Sequence, residues 1–313
     1  MLTGVGVVAL GAAFAWFQRH LRSAMVRAWH PSQHQVPSGS PLGSRVFGHG
    51  PDTVVLLHGL GATSDFWGGA YDRLGRDHRV LIPDLLGFGR SLDETRADFS
   101  LDAHLDALDA LLDQQAPDTE RLMILAHSMG SRLAVAWALR RPGLVSSVLC
   151  AGAPIYPSAR AARAAVGDLG TMARLFLLDT TWAQRACALS CAHRSAATLL
   201  TVIAEPRLPV AVARRSPLHT WPAYRDALDQ FILDVDWPDP LAALAERHIP
   251  LTLVWGDQDP IGDVDYASSI VADDTQRIVV LPGAEHHLPI THAGTIIDLL
   301  LGEPETTDGC HTT

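Results

Sequence analysis

The chain reads as an α/β protein: a mostly parallel central sheet, helices on both faces, and an inserted helical cap. Three observations predict this. Short apolar runs alternate with segments of helical spacing. The runs are apolar along their length, as strands covered on both faces must be. The alternation stops near residue 154 and resumes near residue 241, which marks an insertion between two strands.

Residues 2–17 carry no charge, and Arg19, His20, Arg22 and Arg27 follow them. The stretch is short for a spanning helix, which needs about 17–25 residues. A secretory signal peptide carries its positive charge before the apolar region. Here the charge comes after, which favours an uncleaved membrane anchor with the rest of the chain on the cytoplasmic side. A helix packed on the soluble domain, or a signal peptide, are the other readings. Residues 1–30 are set apart on this ground.

Pro31–Pro41 is a loop rich in Pro, Ser and Gly. Arg45–Phe47 reads as a short edge strand, and Thr53–Leu57 and Val80–Ile82 as strands. Leu101–Leu112 is helical: Leu101, Leu105, Leu108 and Leu112 share a side, and Asp102, Asp106, Asp109 and Asp113 lie among the solvated positions. Strand Leu122–Leu125, helix Arg132–Arg141 and strand Val145–Cys150 follow. Residues 154–240 hold no clear strand. Prolines interrupt short Ala-, Arg- and Leu-rich helices there, so this is the cap. Helix Leu241–Arg247, strand Leu251–Trp255, helix Val264–Val271, strand Arg277–Leu281 and helix His292–Leu301 complete the pattern. The core is thus 31–153 with 241–301. Residues 302–313 form a polar tail that reads as disordered.

With 313 residues, 48% of them apolar, the chain can bury a large core. A formal net charge of −10 argues against a nucleic-acid surface. Four cysteines are too few for a disulfide scaffold. Cys187 and Cys191 share a helical face near His193, but no second ligand pair stands at zinc spacing, so helix packing is the better reading. The glycine loop at Gly59 and Gly61 has no Lys at Walker spacing and is not a phosphate cradle. No metal and no cofactor is expected.

The chemistry gathers in four ordered segments. Leu56-Leu57-His58-Gly59-Leu60-Gly61 closes a strand. Asp84 to Ser91 follows the next one. Ala126-His127-Ser128-Met129-Gly130 puts a serine where an apolar strand breaks into a helix. Trp255-Gly256-Asp257-Gln258-Asp259 and Gly283-Ala284-Glu285-His286-His287 supply a late acid and a late base. A serine hydroxyl is a weak nucleophile until a base takes its proton. A strained strand-to-helix turn with small neighbours exposes it. Ser128 is therefore the candidate nucleophile, against the plainer reading of a helix N-cap.

Over residues 43–301 this ordered set resembles the α/β-hydrolase superfamily, specifically its lid-bearing, esterase- and lipase-like serine hydrolases. The resemblance implies a Ser128–His286–Asp259 triad. His286 rather than His287 stands at the family's base position, and G-x-x-D selects Asp259 over Asp257. The backbone N–H groups of Leu60 and Met129 would form the oxyanion hole. His127 and His58 are read as structural, and Asp84 as a tie for the His-Gly loop. One departure stands: the elbow pattern G-x-S-x-G has Ala126 at its first position.

The implied activity is hydrolysis of a carboxylic ester or thioester through an acyl-enzyme. The substrate is a small-molecule acyl compound, with membrane association through residues 2–17. An acyltransferase or perhydrolase would use the same triad. A carbon–carbon bond hydrolase is disfavoured by His287, where those enzymes often have Trp. A non-catalytic binding protein on the same fold is the remaining alternative. Leu169, Met172, Leu175, Phe176, Leu177, Trp182, Leu199 and Trp221 are candidates either to line an acyl pocket or to pack inside the cap.

Overall fold

The computed structural model describes residues 4–34, 42–168, 181–271 and 274–302, with side chains from residue 11 onward. Seven strands form one sheet: β1 (Ser44–Gly48), β2 (Asp52–Leu57), β3 (Arg79–Pro83), β4 (Arg121–His127), β5 (Val145–Ala151), β6 (Leu251–Gly256) and β7 (Gln276–Leu281). Their spatial order is β1-β3-β2-β4-β5-β6-β7. Only β1, at the edge, runs antiparallel to its neighbour, pairing Ser44–Gly48 with Pro83–Arg79.

Every residue of β2 is buried, because both faces of the sheet are covered. Val55 and Leu57 point to one side, and Val54 and Leu56 to the other. The first side packs α3 (Leu101–Gln115) and α4 (Gly130–Arg140) through Leu105, Leu108, Leu133 and Trp137. The second packs Trp67, Tyr71, Ile296, Ile297 and Leu300. Local signals set the helix starts. Ser100 accepts from the Ala103 N–H and caps α3.

Before the sheet lie α1 (Gly4–Arg22) and α2 (Ala24–Ala28). Among the described residues no single helix is long and apolar enough to cross a membrane. Between β5 and β6 the chain forms α5 (Ala159–Asp168), α6 (Thr181–Ala192), α7 (Arg194–Ala204), α8 (Val210–Ala213) and α9 (Trp221–Leu228). Then α10 (Pro238–Glu246) opens on a proline, three residues before the expected start. After β6 come α11 (Val264–Ile270), α12 (Leu288–Thr291) and α13 (Ala293–Leu301). The expected last helix, His292–Leu301, is α13, starting one residue later, and the short α12 before it is an element the sequence pattern did not mark. Residues 303–313 lie outside the described residues.

Candidate active site

The sheet order sets β4, β5 and β6 side by side. Ser128 follows β4, Gly152 follows β5 and Asp259 follows β6, so these residues meet at the carboxyl ends of the strands. Ser128 has φ +50°, a left-handed conformation uncommon for a non-glycine residue. Such a residue costs of order 1 kcal/mol and persists where its surroundings over-determine it. Here the Ser128 N–H donates to the Ala151 carbonyl at 2.9 Å, and the Ser131 N–H closes the turn onto the Ser128 carbonyl at 2.9 Å. Gly130 permits the turn: a Cβ there would lie 2.8 Å from the Leu57 carbonyl oxygen and 2.9 Å from that of His58. Ala126 sits fully buried within β4, paired with Leu57 and Cys150. Its methyl group is absorbed by packing, which accounts for the departure at that position.

His286 donates from Nδ1 to both carboxylate oxygens of Asp259, each at 3.0 Å. The Asp259 side chain is fully buried and that of His286 is mostly so. Asp259 also accepts from the Ile261 N–H at 2.8 Å. The loops carrying the two residues are tied where the Gln258 N–H donates to the Ala284 carbonyl. This arrangement assigns the Nδ1–H tautomer and leaves Nε2 with its lone pair free for a proton. The Ser128 hydroxyl makes no hydrogen bond among the described residues, whereas Ser128, His286 and Asp259 all border the β5 end. A Cβ on Gly152 would stand 2.9 Å from His286 Nδ1 and 3.1 Å from Asp259 Oδ2.

The rivals go elsewhere. Asp257 accepts from the Gly283 N–H at 2.7 Å and holds the turn after β7. His287 pairs with no carboxylate among the described residues. Burial, with His286 and Arg207 nearby, pushes its pKa down to about 3.

Two histidines shape the site from below. His58 is fully buried. Its Nε2 accepts from the Leu85 N–H at 2.9 Å, so its Nδ1–H donates to the Gly59 carbonyl at 2.9 Å. Burial lowers its pKa. The Gly59 carbonyl and the Leu60 N–H belong to one trans peptide, so they point in opposite directions. Holding the carbonyl therefore aims the N–H. Neither the Leu60 nor the Met129 N–H has a hydrogen-bond partner among the described residues. A Cβ on Gly59 would lie 3.1 Å from Ser128 Cβ, so this loop stands over the serine. Asp84, fully buried, accepts from the Ser64 N–H at 2.6 Å and the Arg90 N–H at 2.7 Å. It anchors the segment that follows the loop.

His127 does more than the sequence suggested. Its ring stacks on Phe66 with centroids 4.6 Å apart. Its Nε2–H donates to the His286 carbonyl at 3.0 Å. Burial and the neighbouring imidazoles hold its pKa well below the usual range. The residue beside Ser128 thus grips the main chain of the residue paired with Asp259. A histidine next to the elbow serine was the available signal, but its target is a backbone atom, which no sequence pattern records.

Three of the eight candidate acyl-pocket residues fall among the described residues. Leu169, Met172, Leu175, Phe176 and Leu177 lie outside the described residues. Trp182 is 68% exposed and Leu199 is 62% exposed. They point outward from α6 and α7, so they neither line an enclosed pocket nor pack inside the insertion. Trp221 is half-buried. A cavity of about 750 Å³ opens among Arg45, Asp65, Arg90, Arg194, Arg214 and Arg215, and neither Ser128 nor His286 lines it.

The chain belongs to the α/β-hydrolase fold family, whose profile matches residues 52–293. An uncharacterised protein of Mycobacterium tuberculosis is 35% identical over 136 residues, which is 44% of this chain and 39% of that protein. A probable lysophospholipase of Arabidopsis thaliana is 30% identical over 109 residues, 34% of this chain and 26% of that one. The matched stretch is thus well under half the length of these relatives. A thermophilic esterase from Thermogutta terrifontis superposes with a TM-score of 0.57 at 17% identity, covering 87% of this chain and 97% of that one. At that identity the likeness shows the fold.

Proposed function

We propose that the chain is a serine hydrolase that cleaves carboxylic esters or thioesters through an acyl-enzyme. The carrying observation is the buried Asp259 bonded to His286 Nδ1, set at the same strand ends as the left-handed Ser128. Ser128 Oγ attacks the acyl carbonyl carbon while His286 Nε2 takes the hydroxyl proton. The carbonyl oxygen becomes an oxyanion and accepts from the Leu60 and Met129 N–H groups. The tetrahedral centre then collapses. The bond to the alcohol or thiol breaks, and the leaving group takes the proton from His286. Water repeats the sequence on the acyl-enzyme, releasing the acid and restoring Ser128. Asp259 holds the tautomer and stabilises the imidazolium. Catalytic hydrogen bonds of unliganded enzymes are often long and tighten with substrate, which fits the unbonded Ser128 hydroxyl.

The esterase and lysophospholipase names among similar proteins support an acyl ester as substrate. A fluorophosphonate probe tests the reading. Labelling that depends on Ser128, together with turnover of p-nitrophenyl esters or acyl-CoA thioesters, is the expected result. A wild-type protein that takes no label at Ser128 would overturn it.

A further inference from the structure

Exposed apolar side chains are concentrated on one part of the molecule. Of ten exposed large apolar side chains among the described residues, eight lie on α1, α6 and α7. On α1, Phe14, Phe17 and Leu21 recur at i, i+3 and i+7, one helical face. On α7, Leu199, Leu200 and Ile203 stand at i, i+1 and i+4, on one side of the helix. Trp182 and Leu189 stand seven residues apart on a single face of α6.

These faces adjoin. Trp16 Nε1 donates to the Val202 carbonyl at 3.1 Å, and the His20 ring to the Pro206 carbonyl at 3.0 Å. The Ser23 hydroxyl donates to the Arg207 carbonyl. The C-terminal half of α1 is therefore tied to the last turn of α7 and to the segment that follows it. Helices α6 and α7 meet in a bend of 116°. Both still bury another face on the protein, through Ala183, Cys187 and Ala197, and Trp16 on α1 is half-buried.

The charge is equally local. The chain carries −10 overall, yet residues 4–28 and 181–204 contain no Asp or Glu. They contain Arg19, Arg22, Arg27, Arg185 and Arg194. Arg194 pairs with Glu94 at 2.6 Å, and the other four are exposed. An apolar face rimmed by arginine matches the boundary between acyl chains and anionic headgroups. A two-fold contact with a second copy would instead bring arginine-bearing patches together, with Glu205 beside Arg19 and Arg22 as an acid at the edge of each.

We infer that α1 and the α6–α7 pair form one monotopic surface that docks on an anionic lipid bilayer. The apolar residues enter the acyl boundary and Arg19, Arg22 and Arg185 meet lipid phosphates. This replaces a spanning anchor at residues 2–17 with a helix lying in the interface. The surface is also coupled to the catalytic side. Arg207, held by Ser23 through its carbonyl, donates to both carboxylate oxygens of Glu285 at 2.7 and 2.8 Å, one residue before His286.

Co-sedimentation of the full chain with phosphatidylcholine vesicles, with and without phosphatidylserine, tests this. Binding should require phosphatidylserine and weaken with salt. Leu200→Asp with Ile203→Asp should lower the partition coefficient at least about tenfold, with circular dichroism and turnover of a soluble ester unchanged. Should that variant misfold, Arg19→Gln with Arg22→Gln carries the test, with about a fivefold loss for each arginine. Wild-type protein left in the supernatant with both vesicles would overturn the inference. So would α7 substitutions that leave binding intact while removal of residues 1–22 abolishes it, or self-association through the patch without vesicle binding. Ser128→Ala protein should sediment like wild type, which separates this result from the hydrolase reading.

Discussion

The proton on His286 Nδ1 decides which nitrogen is left for chemistry, and Asp259 decides where that proton sits. Asp259→Asn keeps the shape and offers an N–H where an acceptor is needed, so the ring turns to its other tautomer. Ester turnover should fall by about 10⁴-fold, with thermal stability near wild type. His286→Ala should lose several orders of magnitude. His287→Gln should stay within about tenfold, since that ring is bonded to no carboxylate. Initial rates on one p-nitrophenyl ester check all three. A larger loss in His287→Gln than in His286→Ala would reverse the assignment. The four ordered segments made the meeting of Ser128, His286 and Asp259 at the strand ends legible, because an ordered set of strand-end residues can be read along the chain. The grip of His127 on the His286 carbonyl was not legible. A main-chain oxygen is present at every position, so composition cannot mark the one that is used.

At the scale of elements, β5 acts as a spacer between the strands that carry the serine and the acid. Its end must present backbone and no side chain, and Gly152 at φ +61° does so while its N–H donates to Val254 at 2.7 Å. Gly152→Ala should place a methyl group against the His286–Asp259 pair and force a left-handed alanine. The expected result is a fall in kcat of at least about tenfold and a stability loss of about 1 kcal/mol or more. Stopped-flow acylation rates and urea denaturation would measure the two separately. An unchanged kcat would show that the pair tolerates the methyl group and that the close approach is incidental. The strands themselves were readable because two covered faces require unbroken apolar runs. The outward faces of α6 and α7 were not. Trp182 and Leu199 have the hydrophobicity of core residues, and hydrophobicity alone does not say whether protein or another apolar phase covers them.

At the scale of the whole molecule, several histidines are folded in their neutral form, and this ties stability to pH. His104 is buried on α3 with its Nδ1–H on the Ser100 carbonyl at 3.0 Å and its Nε2 without a partner. Burial pushes its pKa down to about 4 from an ordinary 6.5. Burial likewise brings His219 to about 4 and His287 to about 3. Between pH 6.5 and about 4 the unfolded chain therefore binds protons that the folded chain refuses. Stability rises with pH wherever the unfolded state holds more protons. The contribution of these residues is thus complete above about pH 6.5 and is lost as pH falls toward 4. For His104 alone the full loss is about 3 kcal/mol. The melting temperature should fall steadily over this window. His104→Gln, which can still donate to Ser100 and does not titrate, should flatten the slope between pH 6.5 and 4. A wild-type melting temperature that held constant to pH 4 would mean that these rings accept protons in the folded state and find partners there.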